Sequence, residues 1–269
     1  MSACSPCEAV IMRWLWRLLS ILSALAAAPL MASAPVAQRA PAAAADGELR
    51  TRLDDIDRRA GQAKDLTARF EQQKFTALLK KPLVSSGKVR TKGPVVRWDT
   101  EVPEPAVLYS DGREIRMYYP RQKVVEIYPI DRRLTDLASS PLPRLAALRE
   151  HFQIDKADLK DVEALQGGGA QSGEGSGPRI ALRLTPTDEL LKQHVDRVMV
   201  LLDADAACVV GVEVDDADGD RTVMRFSDVK LNAGLKDADV ALALPPGTKV
   251  SRPLEGARAD QQGPRGRLR

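Results

Sequence analysis

The sequence predicts an α+β protein built on one antiparallel sheet of about ten strands, with helices on one side. Three observations lead there. Short stretches that alternate apolar and polar residues recur along most of the chain. Clusters of Gly, Pro, Asp and Ser separate them, as turns separate strands. Helical spacing of three and four is confined to one stretch before the strands and one in the middle of the chain.

Leu49, Leu53, Ile56 and Ala60 recur at helical spacing with charges on the other face, and Gly61 helps end that helix. From Asp65 to Ala77 the period changes to two, with Leu66, Ala68 and Phe70 opposed to Thr67, Arg69 and Glu71. Between Val84 and Ile130, short strands are broken at Ser85-Ser86-Gly87, Lys92-Gly93-Pro94, Pro103-Glu104-Pro105, Asp111-Gly112 and Tyr119-Pro120. Asp111-Gly112 between two alternating runs is a strong hairpin signal. Asp131 to Asp161 reads as two short helices broken by Pro141 and Pro143, carrying Leu134, Leu137, Leu145, Leu148 and Phe152. Gly167 to Gly177 is a flexible loop by composition. Strands resume at Pro178, continue through Val195 to Leu202, and form a hairpin from Val209–Val214 and Arg221–Phe226 around an acidic turn. Val240 to Leu244 reads as a last strand.

The N-terminus has the form of an export signal. Arg13 and Arg17 precede an apolar run, Leu18 to Leu30, that is shorter than the ~20 residues a membrane span needs. Ala32-Ser33-Ala34 has the small-x-small form of a cleavage site, and Ala42 to Ala45 offers a second one beyond Pro35. The expected division is therefore a signal peptide with an Ala/Pro linker over 1–45, a folded unit over 46–250, and a disordered tail over 251–269. An exported, periplasmic protein is the expectation.

The net charge of +3 among 29% charged residues is too balanced for a nucleic-acid binder, which carries a basic stripe. Cys4 and Cys7 precede the apolar run and leave with the signal, and Cys208 then reads as a small buried hydrophobe. Asp216, Asp218 and Asp220 fit the start of an EF-hand loop, but Arg221 and Ser227 stand where it needs Gly and Glu. A solvated turn is the better reading, and no metal or other cofactor is expected. His151 and His194 have no second ligand or nucleophile near them in sequence, and no G-x-S-x-G, P-loop or H-E-x-x-H occurs. An enzyme is therefore not expected.

The strand block resembles a known family. Leu66-Thr67-Ala68-Arg69-Phe70-Glu71-Gln72 resembles the first strand of the LolA-like proteins, the periplasmic carriers of outer-membrane lipoproteins. Gly87, Pro94, Arg97 and Trp98 resemble their second hairpin, and Asp111-Gly112 with Tyr118-Tyr119-Pro120 their third. Phe226-Ser227-Asp228, Asn232 and Pro245-Pro246-Gly247-Thr248-Lys249-Val250 resemble their closing segment. The resemblance implies an unclosed antiparallel β-barrel of about ten or eleven strands, with an apolar concave face under a helical lid.

It also implies that acyl chains meet Leu66, Phe70, Val96, Trp98 and Leu108, then Ile115, Met117, Tyr119, Val125 and Ile127, with Leu134, Leu137, Leu145 and Leu148 from the lid. The implied partners are lipoprotein acyl chains or other lipids, an inner-membrane donor transporter and an outer-membrane acceptor, for a carrier working as a monomer. A lipid- or lipoprotein-sensing regulatory protein on the same fold is the alternative. One departure stands out: Gly93 occupies the position of the arginine that latches the lid in the best-known carriers, which leaves Arg90 and Arg97 as candidates for that role.

Overall fold

A computed structural model describes residues 40–129, 141–166 and 177–253. Helix α1 (Ala40–Ala60) comes first and starts inside the segment read as linker. Its Leu53, Ile56 and Ala60 are buried, as the helical spacing requires, while Arg58 and Arg59 close its last turn against the negative end of the helix dipole.

Six strands follow as a meander: β1 (Asp65–Phe75), β2 (Leu83–Lys92), β3 (Val95–Val102), β4 (Ala106–Ser110), β5 (Glu114–Tyr119) and β6 (Val124–Pro129). Helix α2 (Leu145–Leu148) leads into β7 (Phe152–Ala157). A 3-10 turn (Leu159–Val162) and α3 (Glu163–Gln166) lead to β8 (Arg179–Pro186). Then come α4 (Glu189–Lys192), β9 (Val195–Asp203), β10 (Cys208–Asp216), β11 (Arg221–Leu231), α5 (Asp237–Val240) and β12 (Lys249–Ser251).

The described strands form one sheet in the order β12-β6-β5-β4-β3-β2-β1-β11-β10-β9-β8-β7. Every neighbour is antiparallel except β12, which runs parallel to β6. The two ends of the order do not pair with each other. This is an unclosed barrel of twelve strands with few helices.

Register decides which side chains share a face. One rung places Ala68, Val89, Trp98, Leu108 and Met117 side by side, and the next places Leu66, Thr91, Val96, Ser110 and Ile115. Across the β1–β11 seam the same face continues through Phe226 and Met224 to Val212, Val200 and Leu182. We call this the inner face, because α1 packs on it through Leu49, Leu53 and Ile56. The outer face is mostly charged on β1 to β3, with two small apolar clusters elsewhere. Val162 and Leu165 cover the one formed by Ala181, Met199, Leu201 and Val223.

Past β11 the chain returns over the outer face as a strap. Asn232 starts it: its N–H donates to the Asp65 carbonyl at 2.8 Å and its Oδ1 accepts from the Lys64 N–H at 2.8 Å. Lys92 pairs with Asp237 at 2.7 Å, Arg97 donates to the Ala241 carbonyl, and Leu242 packs against Val107, Tyr118 and Val125. The strap ends as β12 on β6, so a main-chain ladder and charged neighbours protect an edge that would otherwise be open.

Several elements differ from the sequence expectation. Phe152 lies on β7 and not on a lid helix, because Phe152 and Ile154 join the β8 edge. Val240 to Leu244 is no strand: Val240 ends α5, and the strand comes later as β12. Helix α4 was not foreseen, and the twelve strands exceed the expected ten or eleven.

Gly87 shows how tightly the meander is drawn. A Cβ there would lie 1.9 Å from the Asp99 carbonyl oxygen and 3.0 Å from the Phe70 ring. The β2–β3 ladder shifts register at this point, between Ser86 and Gly87. Backbone cannot give way as a side chain tip does, so Gly87→Ala is expected to destabilise the protein by about 1–3 kcal/mol. Urea unfolding should show a lower midpoint, and an unchanged midpoint would contradict this packing.

Candidate functional site

The inner face carries the chemistry worth describing. At its centre Phe70 meets Trp98 edge-on with ring centroids 5.0 Å apart, and Trp98 meets Phe226 at 5.8 Å. Leu66, Ala68, Val89 and Val96 surround these rings, and Leu108 and Leu142 pack against them. Phe226 also touches the larger cluster under α1, so one apolar surface runs from β8 to β4.

Polar groups bound that surface. On β6 Tyr128 donates its hydroxyl to Glu126 at 2.7 Å, and burial together with this carboxylate pushes the phenol well above its ordinary range. At the β10–β11 turn the buried Lys74 ammonium lies 3.2 Å from Asp220 and 3.6 Å from Asp216. Asp216, Asp218 and Asp220 are close enough together to hold a cation. Lys74 supplies positive charge to that turn from within the protein.

The cover over the inner face is built by α1 and the segment 141–148. The Pro141 carbonyl accepts from the Val209 N–H at 2.8 Å, and Leu142 lies against the Trp98 cluster. Leu145 is buried between α1 and the strands, with Leu148 beside it. The start of α2 is capped from another helix: Asp57 accepts from the Leu145 N–H and the Ala146 N–H, both at 2.8 Å. Arg149 adds a 2.5 Å ion pair to Asp54. Helix α1 is itself fastened by Arg59, which donates to the Asp205 carbonyl at 3.0 Å and the Ala204 carbonyl at 2.5 Å.

The sequence-predicted site residues divide into four groups. Leu66, Phe70, Val96, Trp98, Leu108, Ile115, Met117 and Tyr119 share the inner face by register. Leu145 and Leu148 are on the cover. Val125 and Ile127 are not with them: both lie on the outer face, and Val125 is buried with Val107 and Tyr118 under Leu242. Leu134 and Leu137 lie outside the described residues. Phe226, Met224, Leu142 and Val89 were missed, although the alternation of Met224 with Arg225 and Phe226 was readable.

The two candidate latch arginines hold something else. Arg90 and Arg97 both grip Asp99 on the outer face. Burial would raise that carboxyl, but hydrogen bonds from Arg97 and Arg90 outweigh it and hold it below its ordinary value. Gly93 has φ +56°, a left-handed conformation in which an arginine would be strained. In this chain the carboxylates Asp57 and Asp54 fasten the cover instead.

The other reactive types play structural parts. Cys208 is buried, and loss of solvation pushes its thiol up to about 12, which leaves it inert at neutral pH. His151 and His194 close α2 and α4 through main-chain bonds to Leu148 and Leu191.

The family model for the outer membrane lipoprotein carrier protein LolA matches residues 61–239. The chain belongs to the LolA family. The outer-membrane lipoprotein carrier protein of Azotobacter vinelandii is 26% identical over 223 residues, covering 82% of this chain and 96% of the relative. That of Pseudomonas paraeruginosa is 27% identical over 194 residues, covering 70% and 82%. A LolA superfamily protein from Nitrosomonas europaea, solved by crystallography, aligns with TM-score 0.38 and 11% identity over 72% of this chain and 97% of its own. The LolA match spans β1 to β11, the strands that build the inner face.

The cap by Asp57 sets the first test of the cover. Losing a side-chain cap costs about 1 kcal/mol, which is about a fivefold shift in an opening equilibrium. Asp57→Ala is therefore expected to raise binding of an apolar fluorescent dye several-fold while the β-sheet circular dichroism is kept. Unchanged dye binding would show that the cap does not hold the cover shut.

Proposed function

We propose that the protein is a non-enzymatic periplasmic carrier that holds lipoprotein acyl chains, or the chains of other lipids, against its inner face. One observation carries the reading: a continuous apolar surface centred on Phe70, Trp98 and Phe226 lies under a cover of α1 and the single-turn α2, which Asp57 caps. Membership of the LolA family and relatives named outer-membrane lipoprotein carrier proteins support it.

In this reading an N-terminal signal peptide exports the chain, and the folded unit works as a monomer. It receives acyl chains from an inner-membrane donor and yields them to an outer-membrane acceptor. Leu66, Phe70, Val96, Trp98, Leu108, Ile115, Met117 and Tyr119 are the proposed contacts, with Leu145 and Leu148 displaced on entry. Val125 and Ile127 drop out because they face the strap.

The energetics favour exchange. Each acyl methylene removed from water contributes about 0.8 kcal/mol. A few methylenes therefore outweigh the cap and the ion pair of α2, and Leu145 gives up its own burial to the incoming chain. The acceptor then needs only a better apolar surface for the same chains, since transfer follows the difference in affinity.

Trp98 reports directly on this. Trp14 and Trp16 lie in the signal, so Trp98 is the only tryptophan of the processed chain. Titration with a lysophospholipid below its micelle concentration is expected to shift Trp98 emission saturably. A flat response together with no saturable uptake of a fluorescent fatty acid would contradict the carrier reading.

A further inference from the structure

Among the described residues, most of the large apolar side chains that stand exposed gather at one place. Leu78 is 82% exposed and Leu79 46% at the tip between β1 and β2, with Val84 at 47% just behind it on β2. Val102, 53% exposed, lies on the adjacent strand: it pairs beside Ser86, one diagonal step from Val84. Leu159, Leu244 and Val250 are exposed singly elsewhere and need no explanation.

The tip is held in shape and is cationic. The Leu79 N–H donates to the Thr76 carbonyl at 3.1 Å, and the Leu78 N–H to Thr76 Oγ1 at 3.4 Å. Lys80 and Lys81 follow at once, both exposed, and neither forms an ion pair among the described residues. Several acids on neighbouring turns have cations of their own: Lys74 lies by Asp216 and Asp220, Lys88 and Arg69 by Glu101, and Arg121 by Glu104, while Asp218 stands exposed on the β10–β11 turn. The positive charge of Lys80 and Lys81 is thus left facing outward beside two leucines.

We propose that this tip is a docking element for an anionic phospholipid surface. Leu78 and Leu79 enter the headgroup region while Lys80 and Lys81 meet its phosphates. A short projecting turn suits such a surface better than a protein partner. A stable protein interface buries about 800 Å² on each side, far more than four side chains supply. Interfacial membrane binding instead needs a small apolar insertion flanked by cations, whose stems lie along the apolar boundary. Docking of this kind is weak and reversible, so it fits a protein that leaves the surface again. The inference goes beyond the carrier reading and does not require an acyl chain on the inner face.

The test uses the processed protein recovered from its host, with an environment-sensitive dye on Leu78→Cys and, as control, on Leu159→Cys. Vesicles of phosphatidylcholine containing about one part in three of phosphatidylglycerol should shift the dye at position 78 and leave it unchanged at 159. Pure phosphatidylcholine should bind far more weakly, and Lys80→Gln/Lys81→Gln should weaken binding about thirtyfold. No shift at 78, or an equal shift at 159, would overturn the proposal. So would a shift that appears with vesicles carrying host membrane proteins but not with the same lipids alone, which would assign the tip to a protein partner.

Discussion

The ladder between β1 and β11 joins two meanders that would otherwise be separate sheets. β1 to β6 form one and β7 to β11 the other, and β1 pairs across to β11 from Leu66–Leu231 to Phe75–Arg221. At the middle of that ladder Phe70 stands opposite Phe226, and Trp98 leans on both. Aromatic pairs of this kind contribute about 0.5–1.5 kcal/mol beyond their buried area. Because Phe226 also touches the cluster under α1, the same seam makes the inner face continuous. Such a long-range pairing closes a large loop, so it depends on everything folded between its partners.

An unclosed barrel must protect two edges and one apolar face, and this chain does each differently. The β6 edge is covered by the strap and β12, which Asn232, Lys92 and Arg97 tie down. The β7 edge carries Asp155 and Lys156, charges that discourage pairing with another chain. The inner face is covered by α1 and α2. Here apolar packing of Leu53, Ile56 and Leu145 is joined by polar contacts, with Asp57 and Asp54 reaching over from α1. The single turn of α2, resting on Leu145 and Leu148, opens at less cost than α1, which is buried through Leu49, Leu53 and Ile56. Fold and proposed function meet at that balance.

Much of this was legible in the sequence, for a physical reason. A strand with one wet face and one dry face has to alternate, and β1, β3 and β8 do so clearly. The parity of Val96 and Trp98 against Arg97 placed the indole on the inner face. The same logic fails where both faces are covered. β6 has Val125 and Ile127 on one face and Val124 and Tyr128 on the other, because the strap buries the outer side. Alternation has no signal there. β7 was hidden because Leu145, Leu148 and Phe152 stand at helical spacing, and only the free edge of β8 makes Phe152 a strand residue. The Asp57 cap was invisible, since nothing local links it to Leu145, far along the chain.

The central claim is that the inner face, under α1 and α2, is where acyl chains lie. Photocrosslinking with a diazirine-bearing lysophospholipid, followed by peptide mapping, tests it most directly. The account predicts adducts on the strands that carry Trp98, Leu108, Met117 and Phe226, reduced by competing unlabelled lipid. Adducts confined to the outer face, around Tyr118, Val125 and Leu242, or adducts that do not compete, would contradict it.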